Sequence, residues 1–465
     1  MNTETMYATM RPWRLFFKVA LPGMVSMFAM SVYSIVEGIF IGRTLGEGAF
    51  AAVNIAMPLV MITFSLADMI GVGASAPISI ALGRGDHKEA NNTFTCSVIL
   101  IFLASVLMGS VMWTTAEPLC RMMGADAVLL DTSVRYLRTF ALCCPLATIF
   151  FAMDNYLRIS GFVKSSMIIN IGCNLMTVVL LAVFLLVCHM DVVGAALATA
   201  IAMCACSAVA IFPFLRGKAL LKFVRPHFHW EMIGRITSCG APTFLNNISG
   251  RVTSILINIS LMTLGAKMLG EGGGTTAVAV YSILMYASDF CWPLLYGISD
   301  SLSPAIGYNW GAEDYDRVKA IARCGYMGTA LVGAVSTSLL LLFPQVVAGL
   351  FTGGDEVHLL ALSTRAIRLF CFAYVFRWLV VMTQSYFGAI GKPLQSGMVS
   401  VGTAFVFPIL LLGLLWRWEL DGIWFNFVGV NALAAVLSVI LLRRLAREIR
   451  KKEEEKQTEN KTAAP

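Results

Sequence analysis

The stretch Ser133-Val-Arg-Tyr-Leu-Arg138 recurs as Ser363-Thr-Arg-Ala-Ile-Arg368, 230 positions further along the chain. Each copy lies at the start of a long apolar run, so the match concerns a whole structural unit rather than an isolated motif. Two more pairs of positions keep the same offset: Gly161 with Gly391, and Asp191 with Asp421. Several matches in one register predict that the chain consists of two homologous halves.

The composition indicates that much of the chain faces something other than water. Of its 465 residues, 58% are hydrophobic and only 13% are charged, and the mean hydropathy is +0.77. A soluble domain carries about 25% charged residues, because its surface must be hydrated. A membrane protein is the class that fits this composition.

Twelve apolar runs of membrane-spanning length follow one another along the chain. About 20 apolar residues are needed for a helix to cross roughly 30 Å of hydrocarbon. The runs lie near 15–40, 51–82, 94–114, 132–156, 165–188, 193–214, 236–265, 275–307, 323–343, 359–388, 395–416 and 422–442. They lack the alternation of barrel strands, so their backbone polar groups can be satisfied in lipid only as helices.

The repeat and the spans together predict an all-α integral membrane protein with twelve transmembrane helices in two pseudo-symmetric six-helix lobes. Because each half has an even number of helices, both halves insert in the same direction and a central cavity is expected between them. The predicted divisions are an N-terminal lobe (1–215), a cytoplasmic linker (216–234), a C-terminal lobe (235–445) and a partly disordered cytoplasmic tail (446–465).

Lysine and arginine are concentrated at the two chain ends and in the even-to-odd connections between spans. Basic residues of this kind stay on the cytoplasmic side, so we expect a multi-pass protein of the bacterial inner membrane with both termini in the cytoplasm. The first apolar run exceeds signal-peptide length and is expected to remain as an anchor. This bias, together with anionic lipid headgroups, explains the net charge of +7 without a nucleic-acid partner.

The sequence predicts neither an enzyme nor a metal centre. The 12 cysteines are scattered, mostly within apolar runs, and the five histidines fall in loops or at span ends. Buried free cysteine behaves as a small hydrophobic residue. No nucleotide-binding loop or nucleophile motif is present, so we expect an ion gradient to supply the energy, with no cofactor and no partner subunit.

Acidic residues inside the spans are the most informative individual positions. A charge at the centre of a bilayer costs about 2.5–3.5 kcal/mol on insertion scales, a cost that a carboxyl group avoids by binding a proton. The candidates are Glu37, Asp68, Asp154, Asp289 and Asp300.

These acids admit structural as well as functional interpretations. Glu37 is either an ion-coupling group or a hydrogen-bond partner of a neighbouring helix. Asp154 precedes Arg158 by one turn, so a local salt bridge competes with a role in substrate recognition. Asp289 and Asp300 are eleven residues apart, which places them about three turns apart on one helix face, where both can line the cavity.

Seven short stretches follow one another along the chain: Ala20-Leu-Pro22, Val36-Glu-Gly-Ile-Phe-Ile-Gly42, Gly71-Val-Gly-Ala-Ser75, Gly83-Arg-Gly-Asp86, Asn155-Tyr-Leu-Arg-Ile-Ser-Gly161, Gly194-Ala-Ala-Leu-Ala-Thr199 and Pro304-Ala-Ile-Gly-Tyr-Asn-Trp-Gly-Ala312. Together they resemble the multidrug and toxin extrusion (MATE) transporters of the flippase superfamily. The resemblance extends over residues 12–440. It implies a helix kink at Pro22.

The resemblance also implies export of drugs or other amphipathic organic molecules in exchange for Na+ or H+. Its ion-coupling positions correspond here to Glu37, Tyr33, Asn174 and Thr199, whereas Val178 stands where the family has a second acid. A site with one acid is better suited to proton exchange. Beside these positions, Asn155 and the four other acids are candidates for the substrate cavity.

The leading hypothesis is therefore a secondary antiporter that exports cationic or amphipathic small molecules. A flippase for a lipid-linked saccharide or metabolite is the alternative, but it favours a strongly basic cavity, and few lysines or arginines fall within the spans. A membrane-embedded enzyme would require a catalytic constellation at membrane depth, and the two-lobed repeat argues against a simple channel.

Overall fold

The computed structural model describes residues 3–124, 127–351 and 357–462, which are helical with short connections and contain no strand. Twelve helices in this part of the chain are long and apolar enough to cross a membrane, as predicted. They are Pro12–Gly46, Ala51–Gly83, His87–Met122, Leu129–Ile159, Val163–Val187, Val192–Leu215, Trp230–Leu269, Gly273–Gly311, Tyr315–Leu342, Val357–Ala389, Pro393–Leu414 and Trp416–Lys451. We number these spans one to twelve; spans one to six form the N-lobe and spans seven to twelve the C-lobe.

Several spans extend beyond the apolar runs that predicted them. The third span was expected near 94–114 but covers His87–Met122. Its first turn is polar and begins at a capping residue, Asp86, whose side chain accepts a hydrogen bond from the Glu89 amide at 2.9 Å. A cap of this type satisfies an amide that has no partner within the helix. Hydropathy detects only the part of a helix within the hydrocarbon and therefore misses such turns.

The internal repeat is visible in corresponding contacts of the two lobes. Arg135 binds Asp191 at 2.6 Å in the N-lobe, and Arg365 binds Asp421 in the C-lobe. Each pair joins the starts of two spans. These are the fourth and sixth spans in the N-lobe, and the tenth and twelfth spans in the C-lobe. The connection after the fourth and tenth spans also repeats, because Gly161 and Gly391 both have positive φ angles, 79° and 69°.

The long helices contain local irregularities. The first two spans run on as one helix, Pro12–Gly83, that is interrupted at Gly46, whose φ of 85° and ψ of 176° are non-helical. Pro22, the expected kink, lies inside the helical part of this segment. π-Helical turns occupy Val183–Val187 and Gly402–Val406, near the end of the fifth span and within the eleventh.

The remaining short elements flank the spans. The described part of the chain begins with the helix Thr3–Thr9, and Pro344–Gly349 follows the ninth span. The 3₁₀ turns Cys371–Ala373 and Trp416–Trp418 interrupt the tenth span and open the twelfth. Helix Glu419–Thr462 carries the twelfth span into the tail, which was expected to be partly disordered from 446, while residues 463–465 lie outside the described part.

Both lobes meet closely at one end of the bundle. We call this end the terminal face, because the first span starts there and the twelfth span leaves there; it also carries residues 84–86, 160–162, 216–229, 312–314 and 390–392. A Cβ atom on Gly83 would lie 1.9 Å from the carbonyl oxygen of Tyr308, and one on Gly311 would lie 2.1 Å from that of Ile80. Only glycine permits this approach of the second and eighth spans, and small residues allow close helix packing in membranes generally.

The connection between the lobes is held against the N-lobe. It covers 216–229, since the seventh span begins at Trp230, whereas the sequence placed the lobe boundary at 216–234. Asn91 accepts a hydrogen bond from the Lys222 amide at 2.8 Å, and Asn92 accepts one from the His227 amide at 2.8 Å. These contacts fix the linker to the start of the third span.

Candidate transport cavity

A cavity of about 1230 Å³ lies between the two lobes. It extends from Arg43 and Leu350, near the ends of their helices that face away from the terminal face, to Arg158 and Ser396 near the terminal face. The close helix contacts at the terminal face separate it from that side. Its size is above the usual range of small-molecule pockets, roughly 300–1,000 Å³, so it can hold a drug-sized molecule with water.

Four of the five predicted cavity residues line this space. Asp68 and Asn155 approach it from the N-lobe, and Asp289 and Asp300 from the eighth span. The two eighth-span acids share one face with other lining residues, as their spacing predicted. Asp300 accepts a hydrogen bond from Ser385 of the tenth span at 2.8 Å, whereas Asp289 is exposed to the cavity. The cavity wall therefore carries three carboxyl groups.

The fifth predicted cavity residue, Asp154, lies behind the wall in a salt bridge. The Arg158 guanidinium donates to its carboxylate at 2.6 Å, and both side chains are almost completely buried. Ser166 and Asn170 of the fifth span donate hydrogen bonds to the other carboxylate oxygen, Asn170 at 2.6 Å. Every carboxylate oxygen is thus bonded, which compensates for the cost of burying the charge. Asp154 holds Arg158 in place, and it is Arg158 that lines the cavity.

Arg158 also joins the N-lobe to the C-lobe. Its guanidinium donates to the Ser301 hydroxyl of the eighth span at 3.3 Å, and it lies within electrostatic range of Asp300. Asp300 is in turn close to Asp68 across the cavity. Arg158 is 2% exposed, so the cationic group on the cavity floor is shielded from water by both lobes.

The amino-terminal helix covers this junction from the terminal face. Tyr7 is 1% exposed, and its hydroxyl donates to the backbone carbonyl of Arg158. Its own carbonyl accepts hydrogen bonds from Asn309 at 3.1 Å and Arg317 at 2.7 Å, both of the C-lobe. Arg317 also donates to the Met10 carbonyl at 2.6 Å. Tyr7 is therefore bonded to both lobes where they meet, an arrangement that the sequence did not predict.

A second polar site lies inside the N-lobe. Thr199 of the sixth span donates to the Glu37 carboxylate of the first span at 3.0 Å. The Tyr33 hydroxyl is buried and lies close to both groups. Three of the four predicted ion-coupling residues are therefore brought together. The group is next to the cavity, which Ser34, Ile35 and Gly38 line from the same helix.

Two features of this N-lobe site differ from the predicted set. Asn174 is half-buried on the fifth span and has no hydrogen bond in the described part of the chain, so nothing joins it to Glu37 here. Tyr136, in contrast, is 1% exposed and lies within electrostatic range of Glu37. Tyr136 belongs to the repeated stretch Ser133–Arg138. A tyrosine with one polar atom inside an apolar run does not indicate, from sequence alone, that it lies near Glu37.

One charged residue of the C-lobe is not among the predicted cavity residues. Arg377 lies within the tenth span, and its guanidinium carbon is 3.9 Å from the centroid of the Trp292 ring, which lines the cavity. As regards metals, no group of three or more His, Cys, Asp or Glu side chains among the described residues is placed to hold an ion.

Comparison with known proteins agrees with this architecture. The MatE family profile matches residues 22–183 and 251–413, one segment in each lobe. The multidrug export protein MepA of Staphylococcus saprophyticus is 25% identical over 435 residues, which cover 91% of this chain and 92% of that protein. MepA of Staphylococcus aureus strain NCTC 8325 is 24% identical over 435 residues, with the same two coverages.

Solved structures show the same fold at lower identity. One, described as the outward-facing conformation of a multidrug resistance MATE family transporter of the MOP superfamily, matches with a TM-score of 0.88 and 21% identity over 97% of this chain and 99% of that chain. A MATE crystal structure in the straight conformation matches with a TM-score of 0.89, again at 21% identity over 97% and 99% of the two chains. Because the family profile covers well over half of the sequence, in both lobes, the family predicted from its motifs is confirmed: this multi-pass membrane protein belongs to the MatE family.

Proposed function

We propose that the protein is a secondary antiporter that exports cationic or amphipathic small organic molecules across the bacterial inner membrane in exchange for protons. In this proposal the terminal face is cytoplasmic, as the distribution of basic residues predicts. The cavity then opens outward, away from the cytoplasm. The matching relatives from Staphylococcus are multidrug export proteins by name, which supports the substrate class.

The charges of the cavity support cationic substrates. Asp68, Asp289 and Asp300 line it together with two arginines, Arg43 and Arg158, and Arg158 is already paired with Asp154. The wall therefore presents more free negative than positive charge. A flippase that binds the pyrophosphate of a lipid-linked saccharide would require the opposite balance, because phosphate is held by clustered Arg and Lys.

The Glu37–Thr199 hydrogen bond is the observation that carries the coupling proposal. It connects the first and sixth spans through a carboxyl group inside the N-lobe, where a charge is costly and a proton removes it. The Val178 side chain provides no oxygen ligand at the position where the family has a second acid, and no hydrogen bond joins Asn174 to Glu37 among the described residues. A single carboxyl with hydroxyl neighbours suits the binding and release of one proton better than the coordination of Na+.

Alternating access requires the terminal face to open. Opening separates the second span from the eighth and breaks the Arg158–Ser301 and Tyr7 contacts that now bridge the lobes. Protonation of Glu37 changes its hydrogen bond to Thr199, and thereby the relation between the first and sixth spans. Coupling follows if the arrangement of the N-lobe helices differs between the two protonation states.

Ethidium efflux from drug-sensitised bacteria tests this proposal. Wild type, Glu37→Gln and a control, Glu117→Gln, are expressed to equal levels and assayed with and without Na+ and with an uncoupler. Glu117 is a suitable control because it is exposed and forms a surface salt bridge with Arg121, one turn away. We expect wild-type efflux to survive removal of Na+, to stop with the uncoupler, and to be lost in Glu37→Gln but not in Glu117→Gln.

The other outcomes each point elsewhere. Efflux that requires Na+ and resists the uncoupler would exclude the proton as the coupling ion. Full activity of Glu37→Gln would move the coupling site to the cavity acids. Absence of efflux from well-expressed wild type, across a broad panel of organic cations, would contradict the substrate class itself.

A further inference from the structure

Arg377 is an arginine inside a membrane span, and no acidic residue in the described part of the chain forms a salt bridge with it. It lies twelve residues from the end of the tenth span at Ala389, which places it about 18 Å along the helix from the terminal face. It forms no salt bridge in the described part of the chain, and its buried Nε atom has no hydrogen-bond partner. An ionisable side chain at this depth generally marks a pathway for a substrate or an ion.

The guanidinium is stacked on an aromatic residue of the cavity wall. Its carbon lies 3.9 Å from the centroid of the Trp292 ring, and Trp292 and the neighbouring Tyr296 both line the cavity. The indole Nε1 of Trp292 is also buried without a hydrogen-bond partner. Two buried nitrogens without a hydrogen-bond partner, Arg377 Nε and Trp292 Nε1, therefore belong to a stacked pair of side chains of which Trp292 lines the cavity, and such groups are rare.

The helix geometry aligns Arg377 with the cavity. Gln384 and Gly388 line the cavity from the tenth span, and they follow Arg377 by seven and eleven residues. At 3.6 residues per turn these spacings correspond to about two and three full turns, so all three positions share one helix face. Arg377 thus continues the cavity-lining face toward the open end, where the Trp292 ring covers its guanidinium.

We propose that Arg377 and Trp292 form a binding site for a carboxylate group of the transported molecule. The planar guanidinium offers paired N–H donors that match the two oxygens of a carboxylate, and the indole N–H adds a third donor. A carboxylate at the edge of the Trp292 ring satisfies the unpaired donors and neutralises the isolated charge.

Recognition of a second group follows from the surrounding acids. Asp289 precedes Trp292 by one turn and is exposed to the cavity, and Asp300 lies two turns beyond it on the same helix. A cationic group bound by one of these acids leaves a carboxylate of the same molecule within reach of Arg377. The substrate class assigned by this geometry is an amphoteric organic molecule with separate cationic and carboxylate ends. This assignment rests on the proposed export function and specifies its substrates.

Two fluorescent dyes provide a matched test. Rhodamine 123 is a cationic methyl ester, and rhodamine 110 is the corresponding free acid, so they differ in the group that Arg377 is proposed to bind. The binding of each dye to purified full-length protein is measured by fluorescence anisotropy for wild type, Arg377→Gln, Arg377→Lys and Arg368→Gln. Arg368 is the control, because it belongs to the same span and its side chain is exposed.

Loss of a charged hydrogen-bonding partner weakens binding selectively for the ligand that uses it. We expect Arg377→Gln to raise the Kd of rhodamine 110 about tenfold while the Kd of rhodamine 123 changes less than about twofold. Arg377→Lys retains the charge without the paired N–H donors, so its Kd for rhodamine 110 should lie between those of wild type and Arg377→Gln. Arg368→Gln should bind both dyes as wild type does. If Arg377→Gln does not accumulate in cells, the test uses Arg377→Lys instead. The same ratio, the Kd of rhodamine 110 to that of rhodamine 123, is then compared with wild type.

Equal effects of the Arg377 substitutions on both dyes, or no effect on either, would overturn the assignment, since both results indicate a purely structural arginine. The same holds if wild type binds the ester and not the acid. Rhodamine 123 efflux from cells expressing wild type is followed in parallel. If that efflux occurs while the dye comparison fails, the export function stands and only the carboxylate site is rejected. If wild type neither binds nor exports either dye, the result contradicts the proposed export function itself.

Discussion

The two lobes use equivalent positions for different chemistry. At the cavity floor of the N-lobe, Asp154, Arg158 and Ser166 form a buried charged network. The positions 230 residues later are Gln384, Gly388 and Ser396, and there the Ser396 hydroxyl donates to the Gln384 backbone carbonyl at 3.0 Å. The serine and its helix contact are retained, while the charges are present only in the N-lobe.

Other pairs show which parts of the repeat are structural. The salt bridges Arg135–Asp191 and Arg365–Asp421 occur in both lobes and lie at the helix ends. By contrast, Tyr136 beside Glu37 corresponds to Ala366, and Arg377 corresponds to Ala147. In these pairs the duplicated residues join helix ends, and the residues that differ, Tyr136 and Arg377, lie near Glu37 and beside a cavity-lining tryptophan. Asymmetry between the lobes is therefore a guide to function in this protein.

Removal of the Arg158 side chain should produce the largest difference in stability between corresponding parts of the two lobes. Arg158→Ala leaves Asp154 as a buried charge without its cationic partner, which costs about 3–5 kcal/mol of stability. The same truncation at the equivalent level of the C-lobe, Gln384→Ala, removes no charge and should change stability by about 0.5 kcal/mol. Thermal unfolding of the two purified variants in detergent checks the difference.

A double variant sharpens this result. Asp154→Asn combined with Arg158→Ala removes the unpaired charge, so it should be more stable than Arg158→Ala alone. Equal stability of the single and double variants would show that the salt bridge is not what Arg158 provides.

Removal of the Thr199 hydroxyl, which donates a hydrogen bond to Glu37, should have the next largest effect. Thr199→Val keeps the shape of the side chain and removes the 3.0 Å hydrogen bond to the carboxylate. A hydrogen bond to a charged group is worth about 1.5–3 kcal/mol, so proton-driven efflux should fall by about ten- to a hundredfold. The matched control is Thr177→Val, because the Thr177 hydroxyl donates to the Cys173 carbonyl of its own helix. Ethidium efflux in cells measures both, and equal activities of the two variants would remove Thr199 from the site.

Loss of the Tyr7 hydroxyl should loosen the contact between the lobes. Tyr7→Phe removes a buried hydrogen bond to the Arg158 carbonyl, worth about 1 kcal/mol, and should increase opening of the terminal face about fivefold. Hydrogen exchange of peptides from residues 304–314 reports this opening. Tyr326→Phe is the control, because Tyr326 and Thr383 are hydrogen-bonded within the C-lobe at 3.1 Å. Faster exchange in the control as well would indicate general destabilisation.

The duplicated surface pairs should have the smallest and most similar effects. Arg135→Ala and Arg365→Ala each break an exposed salt bridge, and such pairs contribute about 0–1 kcal/mol. We expect both variants to unfold within about 1 kcal/mol of wild type in detergent. A large loss in only one of them would show that this part of the repeat is also asymmetric.

The sequence predicts interactions within one helix more accurately than contacts between residues that are far apart in the chain. The twelve spans were predicted because hydrophobicity acts over a window of one helix. The Asp154–Arg158 pair was foreseen as an alternative because a spacing of four residues brings both side chains to one helix face. Glu37 and Thr199, 162 residues apart, were associated only through resemblance to a family.

Contacts between lobes had no such local signal. Tyr7, Arg158 and Ser301 meet across more than 140 residues of sequence, and none of them is unusual in its own segment. Arg377 is not among the residues that the sequence predicts for the cavity, because a basic residue is ordinarily a marker of topology. Its stacking on Trp292 depends on how the eighth and tenth spans pack.

The sequence by itself determined that the chain crosses the membrane as helices, how many spans it has, and that its two halves are related. These properties follow from the free energy of transferring each segment into lipid and from the inherited repeat, neither of which requires knowledge of packing. Only the tertiary structure decided which lobe carries the buried charges, where the cavity is closed, and which arginine faces it. Those outcomes depend on pairs of side chains from distant helices, and their positions exist only once the two lobes have packed together.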